Sequence, residues 1–143
     1  MIREMTAADV TAVAELEKNT FSDAWSAEVL CDELKKDYAR YFVSERDGKI
    51  AGYAGIWCIY ETAELVRIAA AEKRQGTGAA LMAALTDAAE AAGCERIMLE
   101  VRADNAPAMA MYKKYGFSEI SVRRGYYGGV DAIIMERSLA VLF

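Results

Sequence analysis

Hydrophobic and polar positions along the chain follow two different periods, which divide it into predicted helices and strands. Helical spacing of apolar residues begins after a capping residue at Thr6 and again after Ser26. The second of these helices has an apolar stripe formed by Val29, Leu30, Glu33 and Leu34. A long helix is predicted over residues 76–92 and ends at Gly93, and a shorter helix is predicted over residues 105–114.

Strand patterns fill most of the remaining chain. Residues 38–46 and 49–60 form two predicted strands joined by Asp47-Gly48, a dipeptide typical of tight hairpin turns. Further strands are predicted over residues 64–70, 96–101, 118–124 and 131–139. The order is strand, two helices, three strands, helix, strand, helix, two strands, which indicates one mixed α/β sheet domain over residues 1–143.

The overall composition narrows the class of protein. The chain has 143 residues, of which 55% are hydrophobic and 27% are charged, as is typical of one globular domain. Its formal net charge is -5, and acidic and basic residues are interleaved, so the chain lacks the basic stripe of a nucleic-acid binder. An acidic surface tolerates a cationic substrate such as an amine. No apolar run has the length of a membrane span and the start lacks a signal-peptide pattern, so we expect a cytoplasmic protein without a membrane partner.

Two residue types limit the chemistry further. The three cysteines are widely spaced and form neither a disulfide framework nor a metal-binding pattern, so no metal is expected. The chain has no histidine, which excludes Ser-His-Asp, Cys-His and zinc-histidine chemistry. Acid–base catalysis must therefore use Glu, Asp, Tyr, Lys or Cys.

A glycine-rich segment connects the strand at residues 64–70 to the long helix. It consists of Lys73, Arg74, Gln75, Gly76, Thr77, Gly78 and Ala79. Backbone N–H groups at the start of a helix bind phosphate, and glycine lets the anion approach closely. A tight strand-to-helix turn also favours glycine, so the segment alone leaves both interpretations open. It lacks the Gly-Lys-Ser/Thr ending of a nucleotide loop and the third glycine of a dinucleotide fingerprint, which indicates a phosphate on another molecule.

A second group of polar residues follows. Glu100 interrupts an apolar strand, where loss of hydration raises the pKa of a carboxyl group towards values useful to a general base. Alternatively, Glu100 reaches solvent at the strand end or pairs with Arg102. Tyr112 lies on the short predicted helix, either as a catalytic acid or as a packing residue with its hydroxyl at the rim.

Taken together, these motifs resemble those of the GNAT superfamily of N-acetyltransferases. Residues 73–78, preceded by residues 65–70, are similar to its acetyl-CoA motif. Residues 99–105 with Tyr112 and residues 115–117 are similar to the motif that follows. Residues 21–26, 123–127 and 131–135 narrow the resemblance to the bacterial ribosomal-protein-alanine N-acetyltransferases, the RimI type. The resemblance covers nearly the whole chain, with the motifs in matching order.

The resemblance implies a fold and a cofactor site. The fold is a mixed, mostly antiparallel sheet of about seven strands flanked by four helices, whose middle strands splay to form the acetyl-CoA cleft. The pantetheine arm pairs with backbone groups of Ile68, Ala69 and Ala70. The pyrophosphate sits on N–H groups of the glycine-rich segment beside Lys73 and Arg74. Asn105 positions the cofactor or the start of its helix.

The resemblance also implies a reaction: direct acetyl transfer to a primary amine, most simply the α-amine of an N-terminal alanine. Glu100 removes the amine proton directly or through water, a backbone N–H near Ile68 or Ala69 stabilises the oxyanion, and Tyr112 protonates the departing thiolate. The residues implied on the acceptor side are Trp25, Tyr126 and Tyr127, which could equally be half-buried packing residues.

Other functions stay open at this point. A lysine side chain or a small-molecule amine could be the acceptor, or the domain could bind acyl-CoA without catalysis. The presence of both Glu100 and Tyr112 speaks against the last alternative. The chain departs from the family pattern at Gly125, where relatives carry Asn, and in the short turn Gly128-Gly129-Val130. Both departures lie in the region that shapes the acceptor pocket in relatives.

Overall fold

The computed structural model describes residues 1–72 and 76–139. Within them, one seven-stranded sheet carries four α-helices and a short 3₁₀ turn, which confirms the predicted fold class. In chain order the elements are β1 Ile2–Glu4, the 3₁₀ turn Ala7–Asp9, α1 Val10–Thr20, α2 Ala27–Leu34, β2 Ala39–Arg46, β3 Lys49–Ile59, β4 Thr62–Ala70, α3 Thr77–Ala91, β5 Arg96–Arg102, α4 Ala106–Lys114, β6 Ser118–Tyr127 and β7 Val130–Ser138. None of these helices has the length and hydropathy needed to cross a bilayer.

Local signals place the element ends where the sequence predicts them. The side chains of Ser26 and Asn105 cap α2 and α4, each accepting a hydrogen bond of 3.2 Å from the backbone N–H three residues later. Gly93 follows α3 with a φ of 82°, the left-handed conformation that ends many helices. Asp47 and Gly48 both have positive φ, as the two-residue hairpin between β2 and β3 requires.

The strands follow the order β1-β2-β3-β4-β5-β7-β6, so the last strand of the chain inserts between β5 and β6. Neighbours are antiparallel except β4 and β5, which are parallel. The β4–β5 register begins at Thr62↔Arg96 and ends at Glu64↔Met98, although both strands continue. This early end of pairing confirms the splayed middle strands that the family resemblance implied.

Apolar side chains form a core on each face of the sheet. On one face α3 packs through Leu81 and α4 through Tyr112, and on the other α1 and α2 pack through Val13 and Leu30. In the predicted stripe of α2, Leu30 and Glu33 are buried and Leu34 is partly buried, whereas Val29 lies at the edge of the buried face and is 40% exposed. Helices α1 and α2 pack on β2, β3 and β4, so β5, β7 and β6 project beyond them on that face.

Candidate active site

The open edge of β4 begins where its pairing with β5 stops. Beyond Glu64 and Met98 no register pair joins the two strands in the described chain. Ile68, Ala69 and Ala70 stay paired to β3 on their other side, which keeps this part of β4 extended. Their β5-facing backbone groups therefore line an edge that can accept another extended chain. This geometry fits the predicted pantetheine site.

The start of α3 lies at the end of the same strand. Gly76 precedes the helix with a φ of 77°, and the first backbone bond joins the N–H of Ala80 to the carbonyl of Gly76 at 3.1 Å. The N–H groups of Thr77, Gly78 and Ala79 thus have no partner within the helix and stand at its positive end. The helix start fits a pyrophosphate. The rest of the predicted segment, Lys73, Arg74 and Gln75, lies outside the described residues.

Glu100 stands on the face of β5 that α1 and α2 leave uncovered. Its two strand neighbours are buried on the opposite face, whereas its own side chain is 29% exposed. The Oε1 atom of Glu100 lies 3.1 Å from Nη1 of Arg123 on β6. The alternative of a pair with Arg102 is wrong, because that guanidinium binds Asp104 at 3.0 Å. The carboxylate is therefore accessible from the cleft and already faces a cation.

A second carboxylate, Glu64, lies beside Glu100. Glu64 pairs with Met98 in register, and Glu100 is two residues further along β5, so both side chains emerge on the same face. Partial burial and the negative charge of Glu100 raise the pKa of Glu64, while the positive charge of Arg123 opposes that change. Sequence reasoning missed Glu64, although it interrupts an apolar strand in the same way as Glu100.

Tyr112 and Asn105 both belong to α4. The ring of Tyr112 is 8% exposed and packs edge-on against Phe117 with centroids 5.9 Å apart. Burial raises the pKa of Tyr112 to about 12, so the hydroxyl keeps its proton at neutral pH. This state suits a proton donor and is equally typical of a packed tyrosine. Asn105 caps the helix, and contact with the cofactor stays a prediction.

The aromatic residues predicted on the acceptor side border the same uncovered face. Tyr126 is 53% exposed and meets Tyr127 edge-on at 5.1 Å between centroids. Burial and, after it, the negative charge of Glu100 raise the pKa of Tyr127. Trp25 is partly buried in the connection between α1 and α2. A role for Trp25, Tyr126 and Tyr127 in binding the acceptor stays a prediction.

The departure from the family pattern at Gly125 has a structural explanation. Gly125 has a φ of 64° and lies in the irregular part of the β6–β7 pairing, and its N–H donates to Oδ1 of Asp131 at 2.9 Å. Left-handed backbone suits glycine best and asparagine next among the residues. Glycine therefore permits the backbone conformation that Asn would also adopt, but it removes a polar side chain beside Tyr126.

A surface cavity of about 620 Å³ lies away from this cleft, between β1, β2 and α3. Its lining includes Ile2, Phe42, Ala84 and Ala88 and none of the predicted site residues. Its charged lining residues are Arg3, Glu4, Arg40 and Asp87. The candidate site described above lies instead at the cleft between β4 and β5.

Comparison with known proteins agrees with this geometry. The model of the Acetyltransferase (GNAT) family matches residues 8–117, which is most of the chain. The chain belongs to this family and is an acetyl-CoA-dependent N-acetyltransferase. The family resemblance inferred from the motifs is thereby confirmed.

Individual relatives are similar over almost their whole length. A protein of Escherichia coli (strain K12) named [ribosomal protein bS18]-alanine N-acetyltransferase is 34% identical over 140 residues, which cover 94% of each chain. A Bacillus subtilis (strain 168) protein, named as a candidate for the same activity, is 35% identical over 139 residues, covering 94% of this chain and 92% of the relative. The crystal structure of the ribosomal-protein-S18-alanine N-acetyltransferase from Escherichia coli superposes with a TM-score of 0.90 at 32% identity, covering 100% of this chain and 96% of that chain.

Proposed function

We propose that this enzyme acetylates the α-amine of a protein N-terminus that begins with alanine, with a ribosomal protein such as bS18 as the natural acceptor. The observation that carries the proposal is the similarity to a bS18-alanine N-acetyltransferase over 94% of both chains. A ribosomal-protein acceptor also leads us to expect the enzyme in the cytoplasm, where ribosomal proteins are made.

The available side chains favour an α-amine over a lysine. An α-amine has a pKa of about 8, whereas a lysine amine has a pKa of about 10.4, so far more of the α-amine is neutral at cellular pH. The chain has no histidine, and among the described residues Glu100 and Glu64 are two neighbouring carboxylates that can accept a proton. A weak base suffices for the α-amine. The two negative charges would also attract the cationic form of the amine.

The cofactor-binding residues follow from the open edge and the helix start. In this proposal Ile68, Ala69 and Ala70 hold the pantetheine arm through their backbone. The N–H groups from Gln75 to Ala79 hold the pyrophosphate, and Lys73 and Arg74 supply positive charge. Acetyl-CoA brings the acetyl thioester, which is the only activated group that the reaction needs.

The catalytic roles are assigned to three groups. The neutral amine nitrogen forms a bond with the thioester carbonyl carbon, and Glu100 takes the proton that this nitrogen loses as the bond forms; that proton later restores the Tyr112 hydroxyl through solvent. A backbone N–H of Ile68 or Ala69 donates to the carbonyl oxygen while it carries negative charge. The carbon–sulfur bond then breaks, and the Tyr112 hydroxyl gives its proton to the sulfur. The products are the acetylated N-terminus and CoA.

The acceptor would approach over the uncovered face of β5 and β6. Trp25, Tyr126 and Tyr127 are the proposed walls of its pocket. Arg123 faces Glu100 at 3.1 Å, so an incoming ammonium competes with this guanidinium for the carboxylate. Glu64 is a second carboxylate that can bind the ammonium. Its negative charge would balance the incoming positive charge while Glu100 accepts the amine proton.

Peptide competition tests the proposal. One peptide carries a free N-terminal alanine, and the other is blocked at its N-terminus and carries one lysine; both share the remaining sequence. Mass spectrometry of the products should show acetylation of the free alanine at least about tenfold faster, in line with the difference in the neutral fraction of the two amines. Preferential acetylation of the blocked peptide would contradict the proposal and support a lysine acceptor. A small-molecule amine panel in the same assay tests the remaining class of acceptor.

A further inference from the structure

Glu17 of α1 is completely buried, with 0% of its surface exposed. A buried carboxylate is costly unless it is paired and hydrogen-bonded. Oε1 of Glu17 accepts from the backbone N–H of Trp25 at 2.8 Å and from Nη2 of Arg67 at 2.8 Å. Oε2 accepts from Nε of Arg67 at 3.1 Å and from the Tyr53 hydroxyl. The carboxylate therefore ties the start of α2 to β3 and β4.

Arg67 reaches further than this ion pair. Its Nη2 atom also donates to the backbone carbonyl of Asp23 at 3.2 Å. The guanidinium carbon lies 4.0 Å from the ring centroid of Phe21 and 4.7 Å from that of Trp25. One planar group thus holds α1 and three residues of the connection Phe21–Ser26. A flat, five-donor guanidinium can make these contacts together, whereas a lysine ammonium cannot.

A β-bulge turns Arg67 towards this connection. Ile56 pairs with Leu65 and Gly55 pairs with Arg67, so Val66 is the extra residue on β4. Leu65 belongs to the core beneath α3. Without the bulge, the two-residue alternation of the strand would direct Arg67 into that same core. The bulge therefore moves a charged side chain to the face where α1 and the predicted acceptor pocket lie.

Arg67 stands between the two halves of the proposed site. It immediately precedes Ile68 on the open edge of β4, and it contacts Trp25 of the predicted pocket wall. The same guanidinium donates to the backbone carbonyl of Asp23 at 3.2 Å, so it holds the middle of Phe21–Ser26 beside the open edge of β4.

We propose that Arg67 is a positioning residue for the acceptor, which fixes Phe21–Ser26 against the acetyl-CoA-binding strand before the acceptor arrives. The inference rests on the proposed function in that this connection forms one wall of the acceptor pocket. Arg67 would position this wall whichever amine the enzyme prefers as its acceptor. Loss of the anchor should raise the KM for the acceptor and leave acetyl-CoA binding unchanged.

The test compares Arg67→Lys with Arg3→Lys. Arg3 is a matched control because its guanidinium also joins two carboxylates, Asp9 at 2.7 Å and Glu45 at 2.9 Å, but it lies on β1, far along the sheet from the cleft. Arg67→Lys keeps a positive charge beside Glu17 but loses the paired guanidinium hydrogen bonds and the contacts with the two aromatic rings. Its KM for the preferred acceptor peptide should rise at least about tenfold, because small displacements of positioning groups are costly. Its kcat and its acetyl-CoA affinity by calorimetry should stay within about twofold, and Arg3→Lys should change none of the three values.

The outcomes separate positioning from general stability. An unchanged acceptor KM in folded Arg67→Lys, or an equal rise in Arg3→Lys, would overturn the inference. If Arg67→Lys does not fold, the paired variant Glu17→Gln with Arg67→Gln removes both charges together, and it should fold and show the same rise in KM. Hydrogen exchange at residues 21–26 should become faster in the Arg67 variants and not in Arg3→Lys. If the wild type prefers the blocked lysine peptide, the proposed function fails, and the same comparison made with that peptide still tests Arg67.

Discussion

Replacing Gly78 by alanine adds one methyl group to the first turn of α3, and we expect it to strengthen the fold while weakening acetyl-CoA binding. Gly78 does not have a positive φ, and an added Cβ would meet only the Tyr115 hydroxyl at 3.8 Å, an ordinary contact distance. Alanine is more favourable than glycine within a helix by about 0.5–1 kcal/mol. The free energy of unfolding should therefore stay constant or rise by up to that amount.

The effect on binding should have the opposite sign. In the proposed site the pyrophosphate lies against the N–H groups of Thr77, Gly78 and Ala79, and we expect the new methyl group to hinder its approach. A hydrogen bond to a charged group contributes about 1.5–3 kcal/mol. Loss of one such bond raises the Kd for acetyl-CoA by roughly 10- to 100-fold.

Gly78 is a sharper test than Gly76. A Cβ at Gly76 would meet nothing within 4 Å, but its φ of 77° is unfavourable for any other residue by about 1–2 kcal/mol. Gly76→Val should also bind acetyl-CoA weakly, yet that variant changes the backbone that begins the helix. A loss of binding there combines a distorted helix start with a blocked anion site, whereas Gly78→Ala isolates the second effect.

Calorimetry of acetyl-CoA binding and thermal unfolding should be measured on the same protein samples. Ala83→Gly is the matched control, because it removes a methyl group from an exposed position of the same helix, away from its start. This control should lower the free energy of unfolding by about 1 kcal/mol and leave the Kd unchanged. A folded Gly78→Ala protein with wild-type Kd would refute the placement of the pyrophosphate on this helix.

Three further changes test other parts of the molecule. Glu100→Gln should lower kcat by about 100-fold with little change in acetyl-CoA affinity, and wild-type turnover across the pH range would give Glu100 another role. Hydrogen bonds from Arg3 lower the pKa of Asp9 from 3.8 to about 2. This carboxylate therefore contributes about 2 kcal/mol to the free energy of unfolding. The contribution is complete above about pH 4 and is lost as the pH falls towards about 2. The difference in urea midpoint between wild type and Asp9→Asn should therefore be smaller at about pH 2 than at about pH 6. An equal difference at both pH values would contradict the lowered pKa of Asp9. Gly55→Ala should destabilise the fold by about 1–3 kcal/mol or more, because its Cβ would lie 2.0 Å from the Tyr41 ring, and urea denaturation with an unchanged midpoint would argue against this packing.

Features set by neighbouring residues could be predicted from the sequence. Helix caps at Ser26 and Asn105, the stop at Gly93 and the hairpin at Asp47-Gly48 all depend on interactions within a few positions. Gly76, Thr77 and Gly78 likewise fall at the start of α3, where they were expected. Such features are local because a cap or a turn satisfies its own backbone groups whatever the rest of the chain does.

Features that join distant parts of the chain required the tertiary structure. Arg123 faces Glu100 across β7, which pairs with both β5 and β6 and sets the register between them. Arg67 meets Glu17 across fifty positions, and a one-residue bulge decides the face on which it emerges. Alternation along a strand shows which residues share a face, but it shows neither the neighbouring strand nor a shift in register. The sequence by itself therefore determined the elements and the class of enzyme, whereas the partners of Glu100 and the anchor of the acceptor wall were decided by strand order and register, which depend on packing of the whole sheet.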